Sequence, residues 1–182
     1  GYMTSFFHAP ETLYASGATT EHLTHLGLNT NVDHELKSLI KACHQEGIAV
    51  IMDVVYNHAS QYDLNPLKYT DKGGYYRLDH QGNYHNDSWT GNDLDSSKEA
   101  TKNLIFSSIK HWLTEYKVDG FRFDLAGILD WACVDELTVL ARNIHPGVTL
   151  IAEPWGGEYK PTGFSERNWS SWNDKFRNTF KG

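Results

Sequence analysis

The sequence lacks any run of ~18 consecutive apolar residues, so no segment of it is built to span a bilayer as a helix. No basic-then-apolar leader opens it. Because the chain starts at Gly1-Tyr2 rather than at a methionine, that second absence carries no weight. Positive charge is scarce. Sixteen Lys and Arg stand against 23 Asp and Glu, for a net charge of -7, which excludes a protein that tracks nucleic-acid phosphates through bulk positive charge. Cysteine is scarcer still: Cys43 and Cys133 form neither a metal-ligand spacing nor a disulfide framework, and both are expected as small thiols on inward helix faces. Internal repeats and low-complexity linkers are missing too, so residues 1–182 are expected to form one domain around one core. Two Asn-x-Ser triplets, at Asn86 and Asn168, matter only in a secreted protein; the expected location is the cytoplasm.

Aromatic residues, by contrast, are plentiful, at 13% with 6 Trp, 10 Tyr and 8 Phe. Several lie in polar, turn-rich stretches rather than at periodic core positions. Flat rings beside Asn, Asp and His suit sugars, whose C–H faces stack on the ring while their hydroxyls bond to polar neighbours. About half of these aromatics are assigned to ordinary packing.

The hydrophobic pattern alternates between two periods. Asp33 to Glu46 is predicted as a helix with Leu36, Leu39, Ile40 and Cys43 inward, Asp33 as its N-cap and Gly47 at its end. The apolar run from Ile48 to Val55 predicts a strand covered on both faces. From Tyr56 to Asp95 no period is sustained, and residues 57–97 are expected to form an inserted loop region, a lid or small subdomain. Ser96-x-x-Glu99 matches a capping box, followed by a helix with Ile105, Ile109, Trp112, Leu113 and Tyr116 on one face. A strand is predicted at Val118 to Leu125, a helix near Val134 to Ile144, and a short strand from Val148 to Ala152. The tail after Trp155 shows weak periodicity. This βα alternation predicts an α/β fold with a parallel sheet, either open or part of a larger (β/α)8 barrel, since three strands cannot close one.

Each predicted strand carries an acid at or near its C-terminal end: Asp53, Asp124 and Glu153. A lone acid there is commonly a helix cap. Three in succession converge, in a parallel barrel, on the rim where barrel active sites lie. In Gly120-Phe121-Arg122-Phe123-Asp124-Leu125 the side chains alternate, so Arg122 and Asp124 share the face opposite Phe121 and Phe123. A guanidinium this close holds a carboxylate charged and oriented, as a nucleophile requires; a structural ion pair is the plainer alternative. Glu153 lies in Ala152-Glu153-Pro154-Trp155, where apolar surface from Trp155 favours a protonated carboxyl, the form an acid catalyst needs. One charged and one protonated carboxyl are the equipment of glycoside hydrolysis.

Asp53-Val54-Val55-Tyr56-Asn57-His58, Asp119-Gly120-Phe121-Arg122-Phe123-Asp124 and Ala152-Glu153-Pro154-Trp155 closely resemble, in order, three short conserved regions of the α-amylase family. The resemblance covers nearly the whole chain. It implies strands 3 to 5 of a (β/α)8 barrel, Asp124 as nucleophile and Glu153 as general acid/base of a retaining mechanism. Arg122 would position the nucleophile, and Asp53 and His58 would line or brace the reacting-sugar subsite. Gly1-Tyr2-Met3-Thr4 looks like the segment after the second strand, which makes Tyr2 a binding candidate; Trp155 is another. Glu153-Pro154-Trp155 and Gly74 to Asp79, leading to Tyr84-His85-Asn86, look most like isoamylase-type and glycogen-debranching enzymes, which cleave α-1,6 branch points of glycogen and starch. The family's Gly-x-Gly-Asn segment appears here as Trp89-Thr90-Gly91-Asn92. Its fourth region, with the third essential carboxylate, is absent, and Asp174 lies too soon after Glu153 to supply it.

The implied partner is an α-glucan polysaccharide or oligosaccharide. Nucleic acid, membrane, metal and other cofactors are not expected, although the resemblance accommodates a structural calcium near Asn57. Three alternatives stay open: a pullulanase, another family hydrolase or transglycosylase on α-1,4 linkages, and a carbohydrate-binding unit without turnover. The 182-residue chain by itself is expected to be inactive. A metal-dependent barrel hydrolase fits poorly, because Arg122 beside Asp124 would repel a cation.

Overall fold

The computed structural model describes residues 1–18, 31–61, 63–157 and 159–182. Ten elements organise them: α1 (Asn31–Gln45), β1 (Ile51–Val54), α2 (Pro66–Tyr75), α3 (Glu99–His111), β2 (Gly120–Phe123), α4 (Trp131–Ile144), β3 (Thr149–Ala152), α5 (Pro161–Glu166), β4 (Ser170–Ser171) and α6 (Asp174–Lys181). The strands form one sheet in the order β1-β2-β3-β4, every neighbouring pair parallel. This is the α/β architecture that the alternating periods predict.

Register places the chemistry. Asp53 pairs with Arg122 and Arg122 with Ile151, while Val54, Phe123 and Ala152 align one residue further on. Partners in a parallel register point the same way, so Asp53, Arg122, Asp124 and Glu153 share one face at the C-terminal edge. The opposite face carries Phe121 and Phe123, which are fully buried with Ile105, Ile109, Val134 and Leu137 in a single core cluster. Burying each phenyl ring stabilises the fold by about 1.5–3 kcal/mol. Gly120 is dictated by close approach, because a Cβ there would lie 2.2 Å from the Thr149 carbonyl oxygen on β3.

Local signals set the helix boundaries. Asp130 caps α4 by accepting from the Ala132 N–H at 2.9 Å, and Cys133, Val134, Leu137 and Ala141 form its buried face. At α3 the expected capping box is not formed. Lys98 is the N-cap without a side-chain bond, and the Ser96 hydroxyl instead accepts the Asp130 N–H at 2.7 Å. The α3 stripe of Ile105, Ile109, Trp112, Leu113 and Tyr116 is buried as predicted, its last turn widening to a π-helical turn at Trp112–Tyr116.

Several expectations need correction. α1 begins at Asn31, so Asp33 sits inside its first turn, where the Tyr116 hydroxyl donates to it. Leu39 is exposed, and Cys43 is only half-buried whereas Cys133 is buried; both thiols are free. β1 is shorter than predicted and not covered on both faces: it begins at Ile51, which is exposed, as is Ile48 in the segment before it. The stretch from Tyr56 to Asp95 contains α2, started by Asn65 as N-cap and Pro66 at the first helical position. The tail is more ordered than its pattern indicates: α5, the two-residue strand β4 and α6 add a fourth strand beyond the three expected. No helix among the described residues is long and apolar enough to cross a membrane.

Candidate active site

Arg122 is the hub of the C-terminal edge. Its NH1 donates to Asp53 Oδ1 and to Asp124 Oδ1, each at 2.9 Å, and its NH2 lies 2.8 Å from Glu153 Oε2. One guanidinium thus gathers the acids of three adjacent strands into a single cluster. Its planar, rigid fork can hold several carboxylates in fixed directions, which a lysine cannot. Asp124 and Glu153 are nearly buried, whereas Asp53 is half-exposed.

Glu153 is held from two further directions. The Leu125 N–H donates to its Oε2 at 3.0 Å, and its own carbonyl accepts from the Ala126 N–H at 2.7 Å. The Gly127 N–H then bonds to the Trp155 carbonyl at 3.0 Å, so the loops after β2 and β3 are zipped together. Gly127 permits this approach, because a Cβ would sit 2.3 Å from the Gly156 oxygen and 2.7 Å from that of Trp155. Burial pushes the Glu153 carboxyl above the usual glutamate range, and the neighbouring Asp124 adds to the rise. The Leu125 N–H and Arg122 oppose it without reversing it.

Asn57, which the sequence offered only as a neighbour of a structural calcium and not as a substrate or catalytic residue, ties the cluster to β1. Its amide nitrogen donates to the Asp124 carbonyl at 2.8 Å and to Asp124 Oδ2 at 3.1 Å, while its Oδ1 pairs with His58 Nδ1. Its position inside the first motif, between Asp53 and His58, is the signal that marks it. These bonds engage the amide that the resemblance placed near a structural calcium. His58 is buried, which pulls its pKa below the ordinary histidine value and keeps the ring neutral; the Tyr2 backbone and Asp124 act in the other direction.

Tyr2 and Trp155 flank the acids. The Tyr2 hydroxyl donates to Asp53 Oδ2 at 2.8 Å, and its exposed ring lies 5.7 Å from the Arg122 guanidinium carbon. That hydrogen bond is the first cause of its raised pKa. The Trp155 indole N–H donates to Asp174 Oδ2 at 2.9 Å, so α6 sets the ring's orientation. All seven residues singled out from the sequence therefore lie at or beside one end of the sheet. A charged guanidinium, a carboxylate beside it and a buried carboxyl with a raised pKa can together attack an electrophilic carbon and protonate its leaving oxygen.

A parallel α/β sheet with paired carboxylates at its C-terminal edge defines the class, and comparison with known proteins narrows it. The chain is 36% identical to isoamylase 3, chloroplastic, of Oryza sativa subsp. japonica over its whole length, covering 24% of that protein. It is also 36% identical to a glycogen operon protein GlgX homolog of Mycobacterium tuberculosis, again over its whole length and 26% of that protein. Among solved structures, pullulanase type I from Bacillus subtilis, complexed with maltose, superposes with a TM-score of 0.85 at 34% identity, covering 98% of this chain and 25% of that one. No protein-family model matches. The chain is thus similar over its whole length to isoamylase- and pullulanase-like glycoside hydrolases, and it spans about a quarter of the length of these relatives.

Proposed function

We propose that this chain carries the nucleophile and the general acid/base of a retaining glycoside hydrolase that cleaves α-1,6 branch linkages in α-glucan. The single observation carrying the reading is Arg122, which holds Asp124 and Glu153 on adjacent nitrogens of one guanidinium. Two carboxyls fixed that way can address one anomeric carbon.

In this mechanism Asp124 attacks the anomeric carbon to form a glycosyl-enzyme intermediate, and Glu153 protonates the departing oxygen. Glu153 Oε2 already accepts from the Leu125 N–H and lies in the ion pair with Arg122, so the acid proton belongs on Oε1. After the leaving chain departs, Glu153 has lost that proton and takes another from water, which attacks the intermediate and releases Asp124. Asp53 and Tyr2 brace the reacting sugar from one side, the neutral His58 bonds to its hydroxyls, and Trp155 packs on the far side of the acid. Asn57 holds Asp124 in place.

In the architecture that goes with this reading, β1, β2 and β3 are strands 3, 4 and 5 of a (β/α)8 barrel. Residues 57–97 are an insertion after strand 3 within one catalytic domain spanning 1–182. The names of two relatives, an isoamylase and a glycogen operon protein, support glycogen or starch as the substrate class. Two free cysteines accord with a reducing cytoplasm.

The test uses the intact protein. Amylopectin, pullulan and linear maltodextrin are digested side by side, and reducing ends and chain lengths are measured. Debranched amylopectin with little attack on pullulan is expected. Rapid pullulan cleavage would move the reading to a pullulanase, and release from linear chains alone would exclude α-1,6 action. Asp124→Asn is expected to abolish turnover while glucan binding persists.

A further inference from the structure

The loop after β1 combines full burial and high exposure within the six residues from Ser88 to Asp93. Asn92 and Asp93 are 0% exposed and Ser88 is buried, yet Trp89 between them is 73% exposed. The buried side chains close the loop on itself. Asp93 accepts the N–H groups of Asp87 and Ser88 at 2.7 and 2.9 Å, the Ser88 hydroxyl donates to the Asn92 carbonyl at 2.7 Å, and Asn86 accepts the Gly91 N–H at 2.6 Å. Asn92 then clamps Ala59, accepting its N–H at 3.0 Å and donating to its carbonyl at 2.9 Å. The Leu94 N–H bonds to the Asn57 carbonyl at 2.9 Å. The loop is thereby locked to the segment that carries His58, and three residues of chain keep Trp89 within about 11 Å of the clamp.

Trp89 also has φ 61, in the left-handed region that a bulky L-residue enters only at a cost. It stands where the resembling Gly-x-Gly-Asn pattern has its first glycine, so the backbone keeps a glycine conformation while the side chain is an indole. Burial does not offset that strain, because the ring faces solvent. A strained, exposed indole on a rigid, hydrogen-bonded base has the form of a preorganised contact surface.

We propose that Trp89 is a carbohydrate platform: its open indole face stacks on a glucose ring of the α-glucan chain beyond the sugar held between Asp124 and Glu153. This rests on the hydrolase reading above. The apolar C–H face of a pyranose matches the ring, and Asp87, two residues before it, keeps its carboxylate exposed while pairing with Arg77 at 3.7 Å.

The test compares Trp89→Gly and Trp89→Phe with wild type in the intact protein, on a branched glucan. Glycine adopts φ 61 freely, so the glycine variant should melt at the same or a higher temperature. Its KM should nevertheless rise about tenfold with little change in kcat, the pattern of lost substrate binding, and phenylalanine should restore part of the affinity. An unchanged KM in the glycine variant overturns the proposal. A lower melting temperature also overturns it, because the indole would then be packed in the intact protein. These outcomes are distinct from failure of the hydrolase reading, in which wild type itself releases no reducing ends from any α-glucan.

Discussion

Leu125 donates its backbone N–H to Glu153 Oε2 at 3.0 Å from a left-handed conformation with φ 40. The residue after the candidate nucleophile thus turns its own backbone back to hold the candidate acid. The hydrogen bonds from Ala126 to Glu153 and from Gly127 to Trp155 continue the same seam.

That seam makes Gly127 sensitive. An added Cβ meets three successive carbonyl oxygens, of Pro154, Trp155 and Gly156, at 3.0 Å or less. Gly127→Ala should push the two loops apart, costing about 1–3 kcal/mol of stability. Misplacing one carboxyl by about 1 Å should also lower kcat roughly 10²-fold. Thermal melting and initial rates measure both; Gly147→Ala, at a glycine remote from the cluster, is the control.

Arg122 presents a second, separable demand. Arg122→Lys keeps the positive charge but replaces a planar fork with a single ammonium. That ammonium cannot bond Asp53, Asp124 and Glu153 in their present directions. The expected result is a folded protein with kcat reduced on the order of 10²–10³-fold. If the lysine variant retained full activity, charge alone would suffice and the fork geometry would be irrelevant.

The raised pKa of Glu153 gives a pH signature. Its protonated form is the acid, so kcat/KM should fall on the alkaline side as pH rises through the folded-state value. Linkage has the same sign: a carboxyl whose pKa is raised by folding contributes stability below its unfolded value and loses it as pH rises through the folded one. Glu153→Gln should therefore abolish the alkaline limb and raise the melting temperature above that pH. A melting curve insensitive to the substitution there would show that burial does not penalise the charged carboxyl.

Trp155 depends on α6 for its orientation through Asp174. Asp174→Asn retains an acceptor and should change KM less than twofold. Asp174→Ala removes it and should raise KM about 3- to 10-fold, as loss of one hydrogen bond of about 1 kcal/mol implies. Oligosaccharide binding measured by titration separates the two.

How much of this was legible in the sequence follows from the physics of each part. β2 announced itself because its two faces differ sharply, Phe121 and Phe123 against Arg122 and Asp124, and period-2 alternation survives in four residues. α3 and α4 were equally plain from their buried stripes. β4 was hidden because two residues, Ser170 and Ser171, carry no period at all. α2 was missed although Asn65-Pro66 is a helix-start signal, since the residues that follow bury no apolar stripe. The acids were found from strand ends, but Asn57 and the Leu125 N–H were not. An amide and a backbone donor become functional only through the geometry that surrounds them.

The central claim is that Asp124 and Glu153 act on one anomeric carbon, as nucleophile and as acid. A maltosyl fluoride needs no acid to expel its fluoride, so Glu153→Gln in the intact protein should still form the glycosyl-enzyme intermediate but hydrolyse it slowly. The measurement is mass spectrometry of peptides from that quenched reaction. A maltosyl adduct on Asp124 is predicted; an adduct on any other carboxylate, or turnover of the fluoride with no covalent species, would contradict the account.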